Sequence, residues 1–389
     1  MWYQRDFLTF IDHYQSLPIK VLKGPRQCGK TSLLEKIPNY QTIYFDDLST
    51  RQFAQENPRL FLDQNRGPLI LDEASLAPNI FPELKRRVDE FRRTKNPEQK
   101  VDVWITGSNQ TLLQKNVRES LAGRASYFDL NTLSWHELKN VELNAFMMKG
   151  GWPELHITPG LGPTRYLNDL ISTFIEKDIV AAAGIEKTAA FSQCLQLAAG
   201  RVGQLCNASD IAKNVGVDVV TVQSWLRLLE ENAIVQSVPP FFSNVNQRLI
   251  KTPKYYFSDV GLAVRLQGWT DYAPLQVSPA FGHLIENIAL SEISRFFTNR
   301  GEAPVIYFLR TKDQIEVDFL IQLPNQKYIA AEVKTTPQDM TAAQLKVLDS
   351  LKINIIERWI LTPSLGPNFA NAKSINFSEL WNALDRQTV

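Results

Sequence analysis

Gly24-Pro25-Arg26-Gln27-Cys28-Gly29-Lys30-Thr31 reads as G-x-x-x-x-G-K-T, the spacing that lets backbone amides close around a polyphosphate. Gly24 and Gly29 supply the tight backbone, and Pro25, Arg26, Gln27 and Cys28 span the loop. Lys30 offers a cation to β- and γ-phosphates. Thr31 offers a hydroxyl to Mg²⁺, and Ser32 continues into a helix whose N-terminus favours anions. The apolar run 19–22 reads as a buried strand, and 32–37 as a helix stopped by Pro38. Strand, glycine loop and helix together are the context that separates a nucleotide site from an accidental glycine turn.

Outward from the loop, Leu69-Ile70-Leu71-Asp72-Glu73 is an aliphatic strand ending in two acids. Asp72 can hold Mg²⁺ and Glu73 can polarise an attacking water; a solvated strand end is the alternative. The strand expected at 101–106 runs into Gly107-Ser108-Asn109. Asn109 or Ser108 can reach a γ-phosphate from there, or simply end a strand. In Ser120-Leu121-Ala122-Gly123-Arg124, Arg124 reads equally as a surface arginine or as a group reaching a nucleotide on a neighbouring subunit.

Apolar runs at 19–22, 42–45, 69–71, 101–106 and 126–130 alternate with helical stretches, the pattern of an α/β layer with a parallel sheet. The expected domains are a nucleotide-binding core over 1–134, a helical lid over 135–193, a winged helix over 194–261 and a second α/β unit over 262–389. Within the lid, positions 166, 167, 170, 171, 174 and 175 share one helical face. Asn207 caps a short helix over 208–214, Gly216 breaks it, and a helix over 219–232 leads into a β-rich stretch. That last helix carries Arg227 against Asp218, Glu230 and Glu231, so phosphate contact falls rather to Arg248, Lys251 and Lys254. A second basic run, Lys85, Arg86, Arg87, Arg92, Arg93 and Lys95, is interleaved with Glu83, Asp89 and Glu90 and reads better as a solvated face.

The C-terminal unit carries its own constellation. Asp318 lies in one expected strand; Glu332 and Lys334 lie on one face of the next; Glu286 lies on an upstream helix. Three carboxylates and a lysine suit a Mg²⁺-dependent phosphodiesterase, with Asp318 and Glu332 as metal ligands. A charged strand face against solvent explains the last pair more simply. Gln344 is a candidate accessory residue.

Taken together these segments resemble AAA+-type (AAA-14-like) prokaryotic ATPases with an additional C-terminal domain of poorly defined function. The resemblance runs through YFDD (44–47), LILDEA (69–74), ITGSN (105–109), SLAGR (120–124), GGWPE (150–154) and FIEKDI (174–179), and into YFLRTKDQIEVDFLI and IAAEVKT. It implies ATP and Mg²⁺ as cofactors, Asp72 and Glu73 as the acids of the second motif, Asn109 as first sensor and Arg124 as an arginine finger. It also implies a helical lid and a homo-oligomer, with a ring as one form. Arg165 is the weak candidate for a second sensor. The order Glu286, Asp318, Glu332-x-Lys334 resembles the PD-(D/E)XK nuclease core, a restriction-endonuclease-like α/β fold. The expected function is a Mg²⁺-dependent ATPase controlling a nucleic-acid-acting C-terminal domain, on DNA rather than RNA. The alternative is a nucleotide-dependent switch whose later modules only bind DNA or protein.

Composition sets the bounds. A net charge of +1 over 389 residues makes any nucleic-acid surface local. Cys28, Cys194 and Cys206 have no metal spacing. Without a signal segment or an apolar run of membrane-spanning length, the chain is expected in the cytoplasm and off the membrane.

Overall fold

The computed structural model describes residues 2–11, 16–107, 113, 117, 119–241 and 252–388. Two five-stranded sheets dominate it. In the first, β1 (Ile19–Lys23), β2 (Gln41–Tyr44), β3 (Leu69–Asp72), β4 (Val103–Thr106) and β5 (Ala125–Asp129) run in the order β2-β3-β4-β1-β5. Every pair is parallel. The central strands β3 and β4 are buried along their whole length, as a sheet covered on both faces requires. Parallel pairing puts the ends of β1, β3 and β4 at one edge, where open α/β sheets place ligands. Helix α1 (Lys30–Leu34) follows β1, shorter than expected at its C-terminal end, and α2 (Ile80–Thr94) covers one face.

The segment expected as one helix over 165–179 is α3 (Pro163–Leu170) followed by π-helical turns over Ile171–Ile179. The wider turn keeps Phe174, Ile175 and Ile179 in the core. Next come α4 (Thr188–Ala199), α5 (Ala208–Val215) and α6 (Val219–Glu231). Asn207 caps α5, accepting the Ser209 N–H at 2.9 Å. Trp225, Leu226, Leu228 and Leu229 of α6 are buried, as expected of core groups. Strands β6 (Val235–Val238) and β7 (Lys254–Phe257) pair antiparallel. Arg248 and Lys251 lie outside the described residues.

Helix α7 (Val260–Leu266) leads to α8 (Ala280–Thr298) and the second sheet. Its strands are β8 (Val305–Arg310), β9 (Glu316–Leu323), β10 (Lys327–Val333), β11 (Asn354–Thr362) and β12 (Lys373–Asn376), in the order β12-β11-β10-β9-β8. Strands β8, β9 and β10 pair antiparallel; β10, β11 and β12 pair parallel. Helix α9 (Ala342–Ser350) precedes β11.

The expected boundaries at 193/194 and 261/262 fall inside α4 and α7, so neither is a linker. One apolar core runs from Leu133 through the middle helices to Leu384, while the first sheet has its own. The two halves meet at a tight joint. The buried Asp259 accepts from Thr132 Oγ1 at 2.7 Å and from the Gly151 N–H at 2.8 Å. A Cβ on Gly150, whose φ is +62°, would lie 1.8 Å from Asp259 Oδ1, and one on Gly151 would lie 1.9 Å from the Leu133 carbonyl oxygen. The Gly150-Gly151 pair of GGWPE is therefore fixed by contact as well as by turn geometry.

Candidate functional site

The phosphate loop joins β1 to α1 at the sheet edge. Gly24 presses on β5's extension, where a Cβ would stand 2.0 Å from the Leu130 carbonyl oxygen. Gly29, at φ +95°, precedes the first residue of α1. Lys30 is buried, and its Nζ donates to the carbonyls of Gly24 at 2.9 Å and Pro25 at 2.8 Å. Thr31 Oγ1 donates to Asp72 Oδ1 at 2.8 Å across the gap between α1 and β3. Burial, with some contribution from Glu73 and Asp46, pushes the Asp72 carboxyl up to about 6, against the hydrogen bond from Thr31. Glu73 follows in the left-handed region, at φ +54°.

Lys30, Thr31 and Glu73 border a cavity of about 590 Å³, whose loop side runs from Arg26 to Ser32. The opposite wall is Trp2, Tyr3 and Arg5 of the N-terminal segment, Pro153, Glu154 and Ile157 of the helix Pro153–Ile157, and Tyr166 of α3. Its size suits a nucleotide. A hydroxyl and a carboxylate side by side next to a lysine are the donor set that Mg²⁺ and a triphosphate need. Thr31 and Asp72 would hold the ion, and the loop amides with Lys30 the phosphates.

Some wall residues carried no sequence signal. Arg5 is buried; its Nε donates to Glu137 Oε1 at 3.0 Å, and its guanidinium reaches the carbonyls of Cys28 at 2.9 Å and Asn131 at 2.7 Å. It ties the phosphate loop to the start of the helical segment. Tyr166 Oη donates to Gln27 Oε1 at 2.7 Å, so α3 reaches the loop directly. A lone arginine among the aromatic residues of the opening WYQRDF is the only hint the sequence offers.

Other expected site residues separate from the cavity. Asn109 and Ser108 lie outside the described residues. Arg124 precedes β5 at the opposite edge of the sheet and forks onto Asp89, at 2.7 and 2.8 Å. Arg165 is not among the cavity walls; it approaches Asp169 at 4.0 Å in solvent. In the basic run on α2, Arg86 and Arg87 pair with Glu83, Glu90 and Asp63, which matches a solvated face.

In the C-terminal unit, Glu286, Asp318, Glu332 and Lys334 do converge. The register places Glu332 opposite Asp318, one step beyond the Ala331–Phe319 pair. The Val333 N–H donates to Asp318 Oδ2 at 2.8 Å, and Lys334 Nζ bonds Glu332 Oε1 at 2.7 Å. Burial, with the charges of Glu286 and Glu332, pushes the Asp318 carboxyl well above the usual range. Burial acts on Glu286 in the same sense, but His283, Lys254 and Tyr256 hold it lower.

Lys254 overturns the expectation of a phosphate contact. Only 1% exposed, its Nζ lies 2.9 Å from Glu286 Oε1 and 2.5 Å from Glu316 Oε1. Burial disfavours its charge, yet Glu286, Asp318 and Glu316 raise its pKa. A strand that buries Tyr256 should bury Lys254 on the same face, and that alternation was the readable sign. Among the described residues, no three His, Cys, Asp or Glu side chains form a metal-binding group. Gln344, expected as an accessory, caps α9 with Thr341 and donates to the Glu316 carbonyl at 2.8 Å.

Comparison with known proteins matches three stretches of the chain. The family model described as "AAA domain" matches residues 16–139. Two described as "Domain of unknown function" (DUF8612 and DUF4143) match 140–273 and 281–372. The first match supports an AAA-type ATPase in the N-terminal third. An uncharacterized protein of Mycobacterium tuberculosis is 27% identical over 82% of this chain and 70% of its own length. One of Methanocaldococcus jannaschii is 24% identical over 88% of this chain and 82% of its own. Among solved structures, a Walker-type ATPase of Pyrococcus abyssi is 15% identical, with a TM-score of 0.39 over 67% of this chain and 93% of its own. RuvB of Thermotoga maritima is also 15% identical, with a TM-score of 0.27 over 60% of this chain and 86% of its own. Among the described residues, no helix is long and apolar enough to cross a membrane.

Proposed function

We propose that this protein is a Mg²⁺-dependent ATPase that uses its nucleotide state to govern the modules after residue 139. The observation that carries this reading is the Thr31–Asp72 pair at 2.8 Å, beside buried Lys30 at a cavity of nucleotide size. Bound MgATP supplies the scissile phosphoanhydride and a cation that withdraws charge from it. Lys30 and the amides of Gly29, Lys30 and Thr31 orient the phosphates. Thr31 and Asp72 fix the cation, and Glu73, facing the cavity, takes up the proton of the attacking water. Asn109 senses the γ-phosphate. Arg124 acts across a subunit boundary, exchanging Asp89 for a phosphate, which requires a homo-oligomer. The test is Mg²⁺-dependent ATP hydrolysis: the wild type turns over, Lys30→Ala falls by roughly 10²–10³-fold, and turnover near the wild-type rate in that variant removes the assignment.

The later modules are a helical lid, a winged helix and a nuclease-like unit, with DNA as the favoured partner. The two helices and hairpin of 208–257 support the second reading, and the mixed sheet with Glu286, Asp318 and Glu332 drawn together supports the third. The acidic charge of α6 favours the variant in which these modules bind partners without cutting DNA. DNA binding and cleavage by wild type and Asp318→Ala, with and without ATP, separate the two.

A further inference from the structure

The carboxylate cluster of the C-terminal unit is built from α8, β9 and β10, yet its central cation comes from the middle of the chain. Lys254 stands on β7, in the hairpin that follows α6. Its ammonium lies 2.9 Å from Glu286 and 2.5 Å from Glu316. Tyr256, two residues on and on the same face, donates to Glu286 as well. Arg310 holds the other oxygen of Glu316 at 3.0 Å, His283 stands 3.8 Å from Glu286, and Lys334 holds Glu332.

A buried ammonium and buried carboxylates each carry a desolvation cost, which their mutual attraction and hydrogen bonds offset. Each accounts for the other here. A divalent ion needs those same oxygens, and like charge would oppose it within a few ångströms of Lys254. Among the described residues, no three of the acidic, histidine or cysteine side chains form a metal-binding group. The hairpin is also fastened in place. Asn287 of α8 exchanges two hydrogen bonds with the Phe257 backbone, at 2.7 and 2.9 Å; the Phe241 N–H donates to the Phe308 carbonyl of β8 at 2.7 Å, and the Phe308 N–H donates to the Pro239 carbonyl at 3.1 Å. Over the cluster sits the turn at Gly203, where a Cβ would approach Glu286 Oε2 and His283 Nδ1 to 3.3 Å.

We propose that Lys254 is a built-in counter-ion standing where a metal-dependent nuclease would keep its divalent cation, so that the native C-terminal unit binds no such metal. The comparison with a metal rests on the nuclease-like reading; the ion pairs do not. Mn²⁺ titration of the full chain, followed by electron paramagnetic resonance, tests it. Asp318→Asn serves as the reference that leaves the nucleotide site untouched. Wild type and Asp318→Asn should bind the same number of ions. Lys254→Met should bind one more than Lys254→Met/Asp318→Asn, and Mn²⁺ should raise its melting temperature more than that of the double variant. If Lys254→Met does not fold, Lys254→Gln replaces it, and the wild-type arm needs neither.

An extra ion in the wild type, lost in Asp318→Asn, overturns the inference. So does a folded Lys254 variant that gains none. A gained ion without cleavage of DNA leaves the counter-ion standing and sinks the nuclease-like reading. Mn²⁺-dependent cleavage by the wild type, lost in Asp318→Asn, does the reverse.

Discussion

Each half of the molecule buries a lysine close to acidic side chains, and the two lysines are held differently. Lys30 is bonded to neutral carbonyls at the lip of a cavity of about 590 Å³, so its charge remains available to an anion. Lys254 is bonded to carboxylates, and its charge is spent inside the protein. Residue type and burial are alike in the two places; the partner decides which lysine can meet a ligand. A sequence motif that names lysines and acids does not state which acid each lysine faces.

Removing either lysine tests this contrast. Lys254→Met leaves Glu286 and Glu316 without their ammonium and should cost about 3–5 kcal/mol in urea unfolding, since breaking a buried pair strands a charge. Lys30→Ala strands only carbonyls, so the fold should survive with little change while ATP turnover falls roughly 10²–10³-fold. A variant that loses activity only by unfolding would erase the distinction. Arg5→Met should come next. The buried Glu137 carboxylate loses its guanidinium and the Cys28 and Asn131 carbonyls lose a donor, so the fold should lose stability in urea while MgATP binding by calorimetry weakens about tenfold, near 1.4 kcal/mol.

A smaller effect has the opposite sign. Burial raises the Asp318 carboxyl in the folded protein, so the charged form weighs against folding at neutral pH. Asp318→Asn should therefore melt higher than wild type at pH 8. The advantage should shrink as pH falls through the raised folded pKa and vanish below the ordinary aspartate value, where both states are protonated. The smallest expected signal is at the thiols. Burial pushes Cys194 up to about 12 and Cys206 up to about 11, so neither should react with iodoacetamide at pH 8 until the chain unfolds.

Local pattern was legible where local forces decide it. The strand expected at 19–22 is β1 to within one residue, Asn207 caps α5, and the phosphate loop sits between a strand and a helix. These depend on alternation, capping and glycine geometry within a few neighbours. The far wall of the nucleotide cavity was not legible, because Arg5 finds Glu137 across 132 positions of chain. Lys254 was misread for the same reason: its partners are on α8 and β9, while its neighbours in sequence are basic. The boundaries expected at 193/194 and 261/262 fall inside helices α4 and α7, because composition does not mark where a helix begins and ends.

The joint at Asp259 bears on how the parts of such a protein can move. Thr132, Gly151 and the start of α7 all hang on one carboxylate, and Gly150, Gly151 and Gly261 leave no free volume around it, since a Cβ on Gly261 would fall 2.5 Å from the Gly150 nitrogen. A junction so closely packed and bonded resists swivelling, so displacing α3 relative to the first sheet should cost least in the chain beyond residue 151, and a shift at 130–132 should carry the base of α7 with it.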